Sequence, residues 1–331
     1  MPTAPQRPGT DGERPVVVLT DHGSDEGSSA VLEAAVERLT GTAPMAVDAR
    51  RFMTGGAGRA EIRHGRLTLR LAEDGPTLTP EAVIVYEIPP GDRHRFEDFQ
   101  RVLARSDTAR LGAADSTAWR NATDKSRTVE RFARHGIPHA PTITLHAPDR
   151  AAALDAFRRL GGDVWTRPAT GLGGNGVFHA TTTAQLLAAR EHYATTGQKW
   201  QLSRDARNFD ARGRRHQLRV VVLGERVLRV CEHVQEALDE PCNEARGARS
   251  TVLPPEELPR GLAELAVGAT RALGLSFGGV DLAVEDGGCV FEVNVHPVIS
   301  GPGALEGVAL PMVRAHLAEG SAPRPDHRAA P

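Results

Sequence analysis

The sequence predicts a mixed α/β (α+β) chain on three observations. As far as Ser116, short apolar runs alternate with segments of helical spacing, which argues for a largely parallel sheet. Further on, the glycine loop "TGLGGNGV" (170–177) lies between two strand-like segments instead of opening a helix. Near the C terminus, two strongly apolar runs flank Asp286-Gly287 and carry polar residues at alternate positions.

Each element follows in order. "PVVVLT" (15–20) reads as a buried strand, "SSAVLEAAVERL" as a helix and "MAVDA" as a strand. "RAEIRHGRLTLRL" alternates around His64-Gly65 as a hairpin. "AVIVYEI", a helix through "RFEDFQRVLARS", and "TARLGAA" complete this unit. A second segment begins around Asn121, where "DKSRTVERFARHG" is a helix with Asp124 near its start and Gly136 at its end. "IPHAPTITL" turns into a strand, "DRAAALDAFRRLGG" is a helix, "DVWTRPATGLGGNGVFHA" is strand, loop and strand, and "TTAQLLAAREHYATTG" closes the segment as a helix. From Trp200 the pattern changes. "HQLRVVVLGERVLRVCEHV" is a hairpin turning at Gly224-Glu225, and "ELPRGLAELAVGATRALGL" is a helix leading to the last hairpin. The expected division is a disordered N-terminus (1–14), an α/β domain (15–120), a small subdomain with the glycine flap (121–199), a C-terminal subdomain (200–317) and a disordered tail (318–331), with no internal repeat.

Composition excludes several functions. With 331 residues and a net charge of −2, no global field favours nucleic acid or a membrane surface. Aromatics make up 4%, too few for a base-stacking platform. Three cysteines without paired metal spacing fit a reducing compartment. The first residues lack the apolar stretch of a signal peptide, and no apolar run approaches membrane-spanning length, so the expectation is a cytoplasmic protein. Lysine occurs only at 125 and 199 among 40 basic residues, which makes each lysine a pointed observation.

The last hairpin, "SFGGVDLAVEDGGCVFEVNVHP" (276–297), raises a question of cost, because carboxylates in apolar strands need partners. A two-residue Asp286-Gly287 turn would set Ala283 opposite Val290 and Asp281 opposite Glu292. Asp281, Glu292 and Asn294 then share one face, while Leu282, Val284, Cys289, Phe291 and Val293 form a core face. Oxygen donors without sulfur or imidazole suit magnesium. An edge hairpin with solvated polar residues is the plainer alternative.

The glycine loop lacks the following helix of a dinucleotide-binding loop and the Gly-Lys-Ser/Thr of a P-loop, and the chain lacks kinase catalytic signatures. A hairpin flap whose N–H groups close over phosphates remains, beside the plainer reading of a surface hairpin. Its context is ordered: "TDK" (123–125), "RHGIPHAPT", "RPATGLGGNGV", "HQLRVVVLGERV", "CNEARG", then "GVDL" and "FEVN". Together these resemble the ATP-grasp superfamily and, within it, the RimK-like carboxylate–amine ligases, from about Val16 to Leu317. The resemblance implies an ATP-grasp fold behind an N-terminal α/β domain.

It also implies roles. Lys125 and Arg167 correspond to the phosphate-binding cations, arginine standing where the family usually has a second lysine. Gly171, Gly173, Gly174 and Gly176 match the flap, with Asn175 as an added donor. Gln201, Leu202 and Ser203 fall at the adenine hinge, where Leu202 replaces the usual acid. Arg219 matches the arginine near the transferring phosphoryl group, with Gln217 in place of an acid. Asn243, Arg246 and Gly247 match a loop facing ATP and the acyl-accepting region, Arg246 counting with Arg219 as catalytic. Asp281, Glu292 and Asn294 match the magnesium ligands, for two Mg²⁺ with Mn²⁺ as a substitute. His296, Ser300 and Gly301, in "HPVISGPG", border the substrate pocket. The arginines from Arg204 to Arg215 read as a solvated lid or loop.

The implied activity is ATP-dependent ligation of a small carboxylate to an amine, an amino acid or small peptide, through an acyl phosphate, in a homodimer or larger homo-oligomer. An intramolecular cyclase, a small-molecule kinase and a non-catalytic nucleotide-binding regulatory module are the alternatives. Acceptor specificity is expected in the N-terminal loops 20–29 and 86–95, which also read as plain surface loops.

Overall fold

Strand β1 (Val16–Thr20) is buried at every position, as a strand covered on both faces must be. The computed structural model describes residues 14–24, 26–111 and 115–319. Helix α1 (Ser28–Thr40) stops at Gly41, whose φ of 75° lets its N–H return to the Glu37 carbonyl. Strand β2 (Met45–Asp48) pairs with β1 in parallel. The hairpin of β3 (Arg59–Arg63) and β4 (Arg66–Arg70) turns on His64 and Gly65, both at positive φ, and β5 (Thr77–Leu78) extends it. Strand β6 (Ala82–Tyr86) returns beside β1 to give a parallel sheet of order β2-β1-β6. Thr20 is level with Tyr86, so the loops leaving β1 and β6 emerge side by side. Helix α2 (Glu97–Ala104) follows.

Helix α3 (Ser116–Thr123), which the sequence pattern did not separate from its surroundings, is capped by the Asp115 carboxylate. One residue, Asp124, then caps α4 (Lys125–His135), which ends at Gly136. Strand β7 (Thr142–Leu145), helix α5 (Arg150–Arg159), strands β8 (Val164–Pro168) and β9 (Phe178–Ala180), helix α6 (Thr183–Thr196) and strand β10 (Trp200–Arg204) follow. Their strands form an antiparallel sheet of order β7-β10-β8-β9. Phe157, Leu186, Tyr193 and Trp200 fill a core between that sheet and the helices α5 and α6.

Strands β11 (Arg215–Leu223) and β12 (Arg226–Gln235) form the expected hairpin at Gly224-Glu225. With β13 (Arg249–Leu253), helix α7 (Arg260–Ala272), β14 (Phe277–Ala283) and β15 (Cys289–Asn294) they build a five-stranded antiparallel sheet, β13-β12-β11-β14-β15. Alternation divides β11. Leu218, Val220 and Val222 share a core with Ala266 and Ala269 of α7, and Val221 joins α1 and the C-terminal helix α8 (Leu310–Glu319) in another. Gln217 and Arg219, on the Val221 side, are left to face a cavity.

Two expectations are corrected. Strands β14 and β15 are joined by residues 284–288, with Ala283 opposite Cys289 instead of Val290. A bulge between Asp281 and Leu282 then restores Asp281 opposite Glu292. Val290 and Val293 consequently take the core side, while Phe291 lines the cavity. Residues 318 and 319, expected to be disordered, instead belong to α8, which runs through Glu319. The disorder expected for 1–13 and 320–331 lies outside the described residues, as does part of "TARLGAA". No helix among the described residues is long and apolar enough to cross a membrane.

Gly279 lets the chain after β15 fold back over β14: a Cβ there would stand 2.6 Å from Pro297 Cβ. Gly279→Ala should therefore destabilise the protein by about 1–3 kcal/mol, read from urea unfolding. His216 lies between Glu232 (Nδ1–Oε1 3.0 Å) and Glu285 (Nε2–Oε1 2.7 Å). Burial lowers its pKa, but hydrogen bonds to both carboxylates raise it above the ordinary 6.5. A raised pKa means that the imidazolium's contribution is complete below the ordinary value and is lost as pH climbs through the folded one. Unfolding free energy should thus fall as pH rises above the ordinary 6.5, with a shallower slope in His216→Gln.

Candidate active site

A cavity of about 460 Å³ opens between the two antiparallel sheets and beneath the glycine loop. Strand register assembles its polar wall. Asp281 on β14 is directly opposite Glu292 on β15 and directly opposite Arg219 on β11. The Arg219 guanidinium forks onto Asp281, with Nε 2.7 Å from Oδ1 and Nη2 2.8 Å from Oδ2. Asn294 Nδ2 donates to Asp281 Oδ2 at 3.2 Å, which leaves its carbonyl oxygen as the available ligand atom.

Glu292 is held from elsewhere in the fold. Its Oε2 is 3.1 Å from Lys125 Nζ and 3.6 Å from Arg167 Nη1. Lys125 is pinned as the first residue of α4 by its N–H bond to the Ala169 carbonyl, at the foot of the glycine loop (2.9 Å). Arg167, on β8, also donates through Nη2 to the Phe291 carbonyl at 3.1 Å. Helix α4, the small sheet and the large sheet therefore meet at one carboxylate.

The electrostatics follow from these pairs. Burial would raise the pKa of Glu292, but Lys125 and Arg167 pull it down to about 2. Burial works to lower the Arg219 pKa, and Asp281 lifts it well above the ordinary value. For Arg167 burial prevails and the pKa falls, against Glu292 and Asp281. The Nε of Arg167 is buried and has no hydrogen-bond partner among the described residues. Cations that outnumber the carboxylates they face, with an unsatisfied donor among them, suit an anion such as a polyphosphate. Two carboxylates and one amide oxygen, without sulfur or imidazole, are the donor set that magnesium takes, so the residues present fit Mg²⁺.

The glycine loop covers this wall. Gly171, Gly173, Gly174 and Asn175 line the cavity, and Gly173, Gly174 and Gly176 adopt positive φ. Arg246 ties the loop down: its Nη2 donates to the Gly174 carbonyl and to Asn175 Oδ1, both at 3.2 Å. A Cβ on Gly174 would meet Arg246 Cγ and Pro241 Cγ at 3.2 Å, so only glycine passes beneath the 241–246 segment without displacing it. Asn243 lines the cavity and caps the turn that carries Arg246, and Gln217 donates to the Cys242 carbonyl at 3.1 Å.

Not every candidate reaches the cavity. Ser203 and His296 line it. Leu202 is in the core beneath α5 and α6, and Gln201 is fully buried opposite Arg167, its Nε2 donating to Thr144. Gly176 gives its carbonyl to the Tyr193 hydroxyl. Arg246, Gly247, Ser300 and Gly301 are not among the cavity-lining residues, and the Ser300 carbonyl accepts from Arg229. His296 is packed between Tyr86, tilted by 42°, and Trp119, met edge-on at 87°, with its Nδ1 accepting the Ile88 N–H at 3.3 Å. Burial first, then Arg93, holds its pKa well below the usual range, so the ring is neutral.

Other lining residues were missed. The supposed solvated arginine loop ends in a buried ion pair: Arg215, 2% exposed, forks onto Asp205 at 2.9 and 2.8 Å and lies over Trp165 and Phe209. Only Asp205, four residues past Gln201, hinted that an arginine nearby needed a partner. Phe291 escaped because one bulge inverts its face; Glu26 was not singled out, although it lies in the loop 20–29 where acceptor specificity was expected.

A model described as a RimK-like ATP-grasp domain matches residues 122–310. A probable alpha-L-glutamate ligase of Citrobacter koseri is 30% identical over 198 residues, covering 59% of this chain and 62% of that protein. The chain thus spans less than two thirds of the length of the curated relatives it matches. Among solved structures, D-alanyl-alanine synthetase A from Vibrio cholerae superposes with a TM-score of 0.69 at 16% identity, covering 95% of this chain and 100% of that one. The ATP-grasp ligase PsnB complexed with minimal precursor superposes at 0.64 with 18% identity, covering 93% and 99%. These likenesses agree on one fold.

Arg219→Met would leave the Asp281 carboxylate, 3% exposed, without its counter-charge. A loss of about 3 kcal/mol in urea unfolding is expected, and most of it should be recovered in the Arg219→Met/Asp281→Leu double variant. Strictly additive effects would show that the pair is not coupled.

Proposed function

The chain belongs to the RimK-like ATP-grasp family and has its fold, and from that premise we propose that it is an ATP-dependent ligase joining a carboxylate to an amine. The observation that carries this reading is the convergence of Asp281, Glu292 and Asn294 with Lys125, Arg167 and Arg219 under a glycine loop. The substrates are small, an amino acid or short peptide on at least one side.

A carboxylate is a poor electrophile at neutral pH, and ATP cures that. A carboxylate oxygen of the substrate forms a bond to the γ-phosphorus as the bond from that phosphorus to the bridging oxygen breaks, and ADP departs. The amine nitrogen then forms the C–N bond while the C–O bond of the acyl phosphate breaks. Inorganic phosphate leaves, and the proton shed by nitrogen passes to phosphate or water. The protein's part is positioning and charge. Lys125, Arg167 and Arg219 offset negative charge on the phosphates, and the N–H groups of residues 171–176 close over them. Asp281, Glu292 and Asn294 would hold Mg²⁺, two ions with Mn²⁺ as a substitute, which when bound neutralises charge on the phosphate oxygens. Arg246 contributes by holding the loop shut, and the neutral His296 borders the reacting groups.

Purified protein with ATP, Mg²⁺ and a panel of amino acids and dipeptides should release ADP and phosphate only when a competent pair is present. Asp281→Asn should lower that release by about 100-fold or more at a temperature where circular dichroism shows the variant folded, its melting temperature falling because Arg219 loses its counter-charge. Release of AMP, a phosphoester product, or no turnover with any amine would overturn the proposal, the last two pointing to a kinase and a regulatory module respectively.

A further inference from the structure

We propose that Arg93 and His296 form a second anion site beside the cavity, a seat for a carboxylate that one substrate carries and the reaction leaves intact. The inference rests on the ligase reading above and narrows its substrate class. One partner is an acid, such as an amino acid or a peptide with a free C terminus, bound by a carboxylate other than the one that takes phosphate. Arg93 follows β6, in the connection that leads to α2. A single residue, Ile88, holds both side chains: its carbonyl accepts from Arg93 Nε at 3.0 Å, and its N–H donates to His296 Nδ1 at 3.3 Å. Trp119 is their common floor, with its ring centroid 6.0 Å from Arg93 Cζ and 4.9 Å from the His296 ring. Arg93 Nη1 donates to the hydroxyl of Thr123, the last residue of α3, at 2.9 Å. Glu87, just before Ile88, has a φ of 51°, a left-handed conformation that costs a non-glycine residue energy. Its buried carboxylate secures that turn by accepting the Ser28 N–H.

The donors left over define the ligand's charge. With Nδ1 filled by the Ile88 N–H, His296 carries hydrogen on Nε2, which has no partner among the described residues, and the ring lines the cavity. Arg93 is not itself a lining residue, but it is fixed to the same Ile88 and Trp119, and its Nη2 is also without a partner among the described residues. Three arginines that line the cavity each face a carboxylate: Arg167 with Glu292, Arg215 with Asp205 and Arg219 with Asp281. Arg93 has no ion pair among the described residues, and its two fixed acceptors, a carbonyl and a hydroxyl, are neutral. Burial draws its pKa down to about 10, against the raising effects of Glu26 and Tyr86, so the guanidinium stays charged near neutral pH. A cation withdrawn from water without a counter-charge is costly, and an incoming anion offsets that cost. Lys125, Arg167 and Arg219 gather on Asp281 and Glu292 and share no partner with Arg93 or His296. The carboxylate held here is therefore separate from the one that receives phosphorus.

The full chain, saturated with Mg²⁺ and a non-hydrolysable ATP analogue, is titrated by calorimetry with amino acids, dipeptides and dicarboxylic acids, each beside its primary amide. At least one acid should bind about 10-fold or more tightly than its amide. Arg93→Gln should abolish that preference while leaving the amide and the ATP analogue bound as in the wild type. His296→Phe, which keeps the ring packing, should reduce the preference in part. Arg93→Lys, which keeps the charge without the planar fork, should also retain only part of it and serves if the glutamine variant fails to fold. With ATP in place of the analogue, mass spectrometry should find that carboxylate unchanged in the product. No acid preferred over its amide by the wild type, a preference fully retained in the Arg93 variant, equal weakening of acid and amide, or a product amidated at that same carboxylate would overturn the assignment. A preference that depends on Arg93, without ADP release from ATP in any mixture, would leave this subsite standing and sink the ligase reading instead.

Discussion

A carboxylate inside a sheet is the constraint on which the rest depends. Asp281 and Glu292 occupy neighbouring strands, and Asp281 is almost wholly removed from solvent. Unpaired, each would cost several kcal/mol and would sooner take up a proton than keep its charge. The fold answers with three cations from three places: Arg219 from the adjoining strand, Lys125 from the head of α4, and Arg167 from the small sheet. The ion pairs that make the carboxylates tolerable also gather the cations where a polyphosphate would need them.

That arrangement explains other features. Lys125 reaches Glu292 only because Asp124 ends α3 and begins α4 within one residue and because the Lys125 N–H is bonded at the foot of the glycine loop. The loop is free to lie over the site because Gly173, Gly174 and Gly176 take positive φ, and it is held there by Arg246. On the remaining side, Gly279 admits Pro297 close to β14 and brings His296 against Tyr86 and Trp119. The N-terminal sheet shares a core with the five-stranded sheet through Val17, Trp119 and Val280, and among the described residues its loops give the cavity one side chain, Glu26.

Side-chain period and capping chemistry carried much of the reading from sequence. The hairpins at His64-Gly65 and Gly224-Glu225 and the limits of α4 were legible because turn and cap residues act locally. The Asp281–Glu292 pairing was also anticipated, but through a tighter turn; a longer loop and a bulge of one residue compensate, and only their sum preserves the register. Phe291 shows the cost of missing the bulge, since its side chain changes faces. Arg215 shows a different blind spot: in an arginine-rich run nothing local marks the one that will be buried against Asp205 and two aromatic rings.

The sequence by itself determined most of the elements, the family pattern and the shared face of Glu292 and Asn294, because alternation along a strand is a short-range property, whereas the facing of Asp281 and Glu292 also needed a longer loop and a bulge. The tertiary structure decided which cation meets which carboxylate, that Arg246 grips the flap, and that Glu26 joins a cavity otherwise built from residues far along the chain. Those outcomes depend on how sheets and helices pack against each other, and no window of sequence spans such a distance.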